Sequence, residues 1–411
     1  MHWNILRIIE GERVIKESLT EKIEYVVGTE DILGRIDEIK AWRAFDNRVI
    51  DFCDLLSKGL MEMNVIRNFP DLLTLAFWLR KSNLKKIREK YEGIEERLGV
   101  GLAFHIAPGN VALSFAYSLA TGLLTGNANV IRMPSRKFEQ AEIFCDVLRK
   151  AIIANQGIEE RLCLIKYPHD KSITDALSAM CHMRIIWGGN ETVNIIRQSP
   201  IPPRATEITF ANRFSICIIN SDIYLNEYNA KKTAHNFYID TFLSDQNACS
   251  SPRIVFWFGK KIEKAKELFW ESLYDELKDY EIAPVTTVDK LLNFCKYSAY
   301  NSSKMKMVHD CRIIRMEISK VGKEVIEHLG NSGFFYEISI KDLDEILPIC
   351  TWELQTLSYI GFDETVLKNY VLDNSPEGID RIVPVGRTMD FGLIWDGKDI
   401  VRQMTRQVSM Q

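Results

Sequence analysis

A chain of 411 residues is longer than one hydrophobic core usually organises, so two domains, or a large α/β body with an appendage, are expected. Its 46% hydrophobic and 26% charged residues are those of an ordinary globular protein, and a net charge of −4 argues against a dedicated nucleic-acid surface. The nine cysteines are odd in number and form no C-x-x-C pair, and the seven histidines have no metal-ligand spacing. That speaks against a disulfide framework and a structural zinc site, and fits reduced thiols in the cytoplasm.

The N-terminus shows no signal-peptide pattern, and residues 1 to about 90 read as mixed, then mainly helical. Asp37 to Lys58 carries Ile39, Trp42, Phe45, Val49, Phe52 and Leu56 at spacings of three and four, predicting an amphipathic helix. Asp71 to Lys90 repeats the pattern and ends in a basic run, Lys81, Lys85, Lys86, Arg88 and Lys90, read as a solvated face.

From Leu98 the texture changes. Leu98 to Ile106 predicts a buried strand, Ala107-Pro108-Gly109-Asn110 a turn, and Val111 to Leu124 an apolar helix too short to span a bilayer. Strands are predicted at Asn129–Arg132, Leu162–Ile165, Arg184–Trp187 and Ile216–Ile219, with helices at Phe138–Ala154 and Ser172–Met180. Alternation of this kind means βαβ units and a parallel sheet, whose ligands bind at the carboxyl ends of strands. Three turns stand at such ends: Pro108-Gly109-Asn110, Arg132 to Ser135, and Gly188-Gly189.

A second alternating series follows: strand Ile254–Phe258, helix Lys261–Tyr280, and strand-like Phe334–Ile338 and Leu347–Glu353. The tail from Asp380 is turn-rich and is expected to return to the first domain. Between the series lies Asp245-Gln246-Asn247-Ala248-Cys249-Ser250-Ser251-Pro252, which presents Cys249 on a helix-to-strand loop. A thiolate is the reactive form, and a polar, partly exposed loop allows it better than an apolar core.

Several chemistries are missing their motifs. There is no G-x-G-x-x-G after the first strand, no P-loop and no G-x-S-x-G elbow. What remains is a candidate nucleophile, Cys249, and an amide side chain, Asn110, in a strand-end turn. Acyl chemistry needs little more: a nucleophile and donors aimed at an oxyanion, here Asn110 and the backbone N–H of Cys249. Read alone, Asn110 is also an ordinary turn residue or helix cap.

The stretches Phe104 to Val111, Gly122 to Asn127 and Asp245 to Pro252, with the tail Arg381 to Gly386 and Trp395-Asp396-Gly397, together resemble the LuxC-type acyl-CoA or fatty-acyl reductases. These are a divergent branch of the aldehyde dehydrogenase superfamily. The resemblance runs from about residue 95 to about 405. It implies an α/β, aldehyde-dehydrogenase-like fold with a variant Rossmann cofactor domain and an α/β catalytic domain. The expected division is a mainly helical segment 1–94, a cofactor-binding domain 95–243, a catalytic domain 244–378 and a C-terminal return or oligomerisation segment 379–411.

The resemblance makes Cys249 the nucleophile and Asn110 the oxyanion donor. It puts Arg132 where relatives hold the adenosine ribose, and Ser135 where an acidic residue would disfavour a 2′-phosphate; this leans toward NADPH, with NADH the alternative. Gly188 and Gly189 match the glycine turn beside the cofactor, and Glu353 the glutamate that holds the nicotinamide ribose. The acyl donor would be acyl-CoA or an acylated partner protein of the acyl-protein-synthetase type, and the enzyme a homo-oligomer. Hydrolytic relatives carry a general-base glutamate, but Phe210 to Ser215 has none in register; Glu207 is three positions early. Two other readings stay open: a hydrolytic aldehyde dehydrogenase with a relocated base, and an acyl-carrying scaffold without redox chemistry. The activation of Cys249 is also open, with His235 or a backbone dipole as candidates.

Overall fold

A computed structural model of the chain describes residues 6–9, 12–15, 20–155, 157–299 and 303–409. It divides into two compact units, residues 1–211 with 391–411, and residues 212–390. Two short strands, β1 (Leu6–Ile9) and β2 (Glu12–Ile15), pair antiparallel.

The first unit is built on six strands: β3 (Glu24–Val27), β5 (Leu102–Ile106), β6 (Ala128–Arg132), β7 (Leu162–Lys166), β8 (Met183–Trp187) and β9 (Thr206–Phe210). Their order is β3-β7-β6-β5-β8-β9, parallel except for β3 at the edge. The chain runs outward from β5 through β6 to β7, then crosses back to β8 beside β5. A crevice therefore opens at the carboxyl ends of β5 and β8, where ligands of such sheets bind. Both faces are buried. Ile131, Leu162 and Leu164 pack under the helices Asn47–Met61, Ser114–Leu124 and Glu139–Ala154, while Phe104, Ile106, Val130 and Ile165 pack against Lys171–Met180 and Asn190–Arg197. Continuous apolar runs are what a two-sided parallel sheet requires.

The second unit carries seven strands: β10 (Phe214–Asn220), β11 (Pro252–Phe258), β12 (Ser303–Val308), β13 (Asp310–Ile318), β14 (Phe334–Ile340), β15 (Leu354–Ile360) and β16 (Arg381–Pro384). Their order is β12-β13-β14-β11-β10-β15-β16, with only β12 antiparallel to its neighbour. Ile216, Ile254, Phe256 and Leu357 face one core, and Cys217, Val255, Trp257 and Phe335 the other.

Several sequence expectations shift. The strand predicted from Leu98 is two, β4 (Arg97–Gly99) and β5, broken at Gly101, whose φ of +131° suits glycine. The helix predicted over Asp37–Lys58 starts only at Asn47, capped by Asp46, and Asp71–Lys90 is two helices, Pro70–Trp78 and Lys81–Glu89. Ile216–Ile219, grouped with the first series, is instead the centre of β10 in the second sheet. The strand-like Leu347–Glu353 holds no strand: its first three residues end a 3₁₀ segment, Leu343–Ile349, started by a capping box of Asp342 and Glu345, and the strand begins at Leu354. The tail is divided: β16 edges the second sheet, and residues 391–411 belong to the first unit. There Asp396 and Gly397, both at positive φ, turn the hairpin of β17 (Ile394–Trp395) and β18 (Lys398–Asp399), and β19 (Thr405–Gln407) pairs with β4. No helix among the described residues is long and apolar enough to cross a membrane.

Candidate active site

The loop that carries Cys249 is held in an unusual backbone. Asp245 and Gln246, neither a glycine, both adopt left-handed conformations, with φ of 50° and 58°. Each costs roughly 1 kcal/mol or more and persists only where neighbours fix it. The fixing is done largely by Gln246, whose side chain is fully buried. Its Oε1 accepts from the backbone N–H of Gly333 at 2.9 Å, and its Nε2 donates to the Pro252 carbonyl at 2.9 Å. Ser332 N–H reaches the Asp245 carbonyl at 2.9 Å, and Asn331 Nδ2 the side chain of Asn247 at 2.9 Å. The Asp-Gln-Asn of the sequence motif is thus a clamp that ties the loop to the start of β14.

Cys249 follows in a turn closed by the Ser251 N–H on the Ala248 carbonyl. It is a partly exposed thiol, unlike Cys53, Cys145, Cys163, Cys181, Cys217 and Cys350, which are buried. Burial pushes each of those six thiols up to about 12, away from reactivity. Two residues not anticipated from the sequence grip Cys249. Ser215, at the start of β10, donates to its carbonyl at 2.7 Å, and Gln355 Nε2, near the start of β15, lies 3.3 Å from its Sγ. Arg253 turns back into the loop and donates to the Gln246 carbonyl at 3.1 Å; burial pulls its guanidinium down, against the opposing pull of Cys249. In register, Ser215 pairs with Pro252 and Thr356, and Thr356 with Arg381. The nucleophile candidate therefore sits at the amino ends of the central strands. Glu353 lies at the same end, exposed, its carbonyl accepting from Phe214 N–H at 3.0 Å.

The remaining sequence candidates lie in the first unit, at carboxyl ends. Asn110 is exposed on the loop that leaves β5, four residues before the start of the helix Ser114–Leu124. Arg132 ends β6, with its guanidinium 4.4 Å from the centre of the Tyr167 ring, a cation–π contact that positions the charge. Ser135 and Arg136 are exposed in the loop beyond it. Gly188 leaves β8 with its N–H on the Phe210 carbonyl at 3.1 Å, and a Cβ there would meet Thr192 Cγ2 at 3.0 Å. Gly189 is the N-cap of Asn190–Arg197, a helix start that no side chain caps. Backbone N–H groups at such a start suit a phosphate, so these residues fit a dinucleotide.

The other motif residues of this unit are structural. His105 is buried, bonded through Nδ1 to Ser118 Oγ at 2.8 Å and through Nε2 to Asn129 Oδ1 at 3.0 Å. Because Asn129 Nδ2 donates to the Asn127 carbonyl and Trp187 Nε1 donates to Ser118, the chain of donors assigns the imidazole proton to Nε2. Burial holds this imidazole down at about 4, so it is neutral. Gly122 is required here, since a Cβ would fall 1.8 Å from Asn129 Oδ1.

The candidate helpers from the sequence find other partners. His235 Nδ1 lies 2.6 Å from Glu276 on an exposed helix face. Glu207 is held by Arg184 at 2.5 Å and by Arg197 at 2.7 Å, with its side chain 14% exposed.

Comparison with known proteins points one way. Residues 30–407 match the family described as acyl-CoA reductase (LuxC). The chain is 26% identical over 326 residues to the long-chain acyl-protein thioester reductase of Vibrio harveyi, an alignment covering 75% of this chain and 64% of that protein. It thus spans a little under two thirds of that relative's length. The protein of the same name from Aliivibrio fischeri is 26% identical over 401 residues, covering 93% of this chain and 75% of the other. Among solved structures, lactaldehyde dehydrogenase from Escherichia coli has a TM-score of 0.63 at 12% identity, covering 92% of this chain and 90% of that one. The 1-pyrroline-5-carboxylate dehydrogenase of Thermus thermophilus has a TM-score of 0.62 at 10% identity, with 92% and 85% covered. The fold is that of the aldehyde dehydrogenases.

Proposed function

Because the chain belongs to the acyl-CoA reductase (LuxC) family, we propose that it reduces an acyl thioester to an aldehyde through an acyl group carried on Cys249. The carrying observation is Cys249 itself, a partly exposed thiol on a clamped loop with an amide donor on its sulfur. The thiolate attacks the thioester carbonyl and forms a C–S bond; the donor's own C–S bond breaks, and the carrier leaves as a thiolate that takes a proton from solvent. A nicotinamide cofactor, when bound, supplies the hydride that reduces the acyl carbon. The resulting hemithioacetal breaks its C–S bond, releases the aldehyde and returns Cys249 to the thiolate. Asn110 and the Cys249 N–H are assigned to the oxyanion, and Ser215 fixes the Cys249 peptide by holding its carbonyl.

The residues proposed to hold the cofactor are Arg132, Ser135, the Gly188-Gly189 turn and Glu353. With Ser135 and Arg136 exposed and no carboxylate among them, NADPH is the proposed form, in a reducing cytoplasm. The names of the relatives support a long-chain acyl donor presented on a protein, with acyl-CoA as the small-molecule equivalent. The hydrolytic reading loses its base, since two guanidinium groups occupy Glu207.

The test is acyl-CoA-dependent NADPH oxidation with aldehyde detection, together with mass spectrometry of the Cys249 peptide after acyl-CoA alone. An acyl adduct on Cys249 and aldehyde on adding NADPH are expected. An adduct without NADPH oxidation would leave a carrier scaffold, and steady acid formation from aldehyde and NADP⁺ a hydrolytic enzyme.

A further inference from the structure

A nucleophilic cysteine needs something to hold its negative charge, and a helix N-terminus is a common solution. Cys249 has none on its own segment. The chain reaches it from the C-terminal end of the helix Ala230–Thr241, whose last carbonyls carry partial negative charge, and continues into a strand. The imidazole of that helix, His235, is engaged by Glu276.

Gln355 offers that sulfur a donor. It interrupts the apolar character of β15, and its side chain is only 1% exposed. Its Oε1 accepts from Thr356 Oγ1 at 3.2 Å, which leaves the NH₂ end facing Sγ at 3.3 Å. A neutral thiol is a weak acceptor. A thiolate is a stronger acceptor, and the bond then becomes charge-assisted.

We propose that Gln355 is a catalytic residue, the N–H donor that stabilises the Cys249 thiolate both as attacking nucleophile and as the group expelled when the aldehyde leaves. This deepens the proposed function and rests on Cys249 being the acylated residue. The donor is needed at the two ends of the cycle, where sulfur is anionic, and contributes least to the neutral thioester between them. Gln355 neither gains nor loses a proton. Arg253, half-buried and with a buried Nε lacking a hydrogen-bond partner, adds a fixed positive charge to the same loop.

The test needs neither acyl donor nor cofactor. The full chain, Gln355→Leu, Gln355→Met and Gln355→Glu are alkylated with iodoacetamide across pH, and modification is read at the Cys249 peptide by mass spectrometry. Exposed Cys295 serves as the internal control. In Gln355→Leu the half-titration pH of Cys249 should rise by roughly one unit, as loss of a charge-assisted bond predicts. The near-isosteric Gln355→Glu should raise it further, and Gln355→Met, similar in volume but without an N–H donor, should match the leucine variant and keeps the test decisive if that variant does not fold. In steady state each variant should move the pH dependence of kcat/KM by as much as it moves its own alkylation midpoint. Unchanged midpoints in two variants with native melting overturn the proposal, and so does a shift in Gln355→Glu alone, which would report only a nearby charge. If wild-type Cys249 titrates as described but never becomes acylated, the functional reading fails while the role of Gln355 stands.

Discussion

The two parallel sheets of this chain expose opposite ends. In the first, the candidate residues Asn110, Arg132, Ser135, Gly188 and Gly189 all lie where strands β5, β6 and β8 leave the sheet. In the second, Ser215, Cys249, Glu353 and Gln355 all lie where the central strands enter it. Carboxyl ends face helix N-termini, so backbone N–H groups are available to anions there without help from side chains. Amino ends follow helix C-termini and lack that resource. The second unit accordingly uses buried side-chain amides: Gln246 clamps the loop and Gln355 faces the sulfur. A ligand held by its phosphates suits the first arrangement, and a covalent attachment point held by rigid side chains suits the second.

The largest effect should come from separating the two. Cys249→Ala removes the attachment point and should abolish acylation and aldehyde formation, while NADPH binding, followed by fluorescence, stays near wild type. Acylation that persists in this variant would remove Cys249 from the mechanism. Asn110→Ala should slow turnover by roughly 10²–10³ if its amide stabilises an oxyanion, with cofactor affinity unchanged. A normal rate would leave Asn110 as a turn residue.

The units also differ in their buried titratable groups. His105 in the first is held down at about 4 by burial, below its unfolded value near 6.5. The unfolded chain therefore binds more protons in that interval. The stability is present above pH about 6.5 and is lost as pH falls through 4, on the order of 3 kcal/mol in all. Asp240 in the second runs the other way. Burial raises its carboxyl to about 7, against the pull of the Gly386 and Thr388 N–H groups at 2.6 and 3.0 Å. Here the native state binds more protons, so stability is present near pH 4 and declines as pH rises through 7. Hydrogen exchange, corrected for intrinsic rates, should show protection in Leu102–Ile106 falling toward pH 5 while that of Val385–Thr388 rises. A common direction in both segments would contradict this assignment.

Much of the first unit was legible because its strands are apolar runs and its helices keep their period. The motif glycines and asparagines, such as Gly122 and Asn127, are legible as a signature, although their packing is not. Cys249 stood out by its polar loop. Its partners did not, because Ser215 and Gln355 come from strands 34 residues before and 106 residues after it, and only the register of β10 with β11 and β15 brings them together. One trace was present: a glutamine in the otherwise apolar or hydroxylated run Leu354 to Ile360 has to find a buried partner. The sheet to which β10 belongs is not legible in the sequence for a related reason. A strand's sheet is decided by its pairing partners, and consecutive strands often, but not always, share one.

The smallest predicted effect tests the first sheet alone. Arg132 is held over Tyr167 at the end of β6, partly exposed, so a contact with cofactor would be screened by water and worth about 1 kcal/mol. Arg132→Gln should therefore raise the KM for NADPH by roughly fivefold and leave kcat unchanged, the pattern of a contact made equally in ground and transition states. The ratio of NADPH to NADH effects carries the further information. A contact to the ribose hydroxyls, common to both cofactors, predicts equal losses. A contact to the 2′-phosphate predicts a loss for NADPH alone, which would extend the cofactor preference argued from Ser135 and Arg136 to Arg132. A fall in kcat with KM unchanged would mean that the carboxyl ends of the first sheet take part in chemistry, and the division of labour between the two sheets would have to be redrawn.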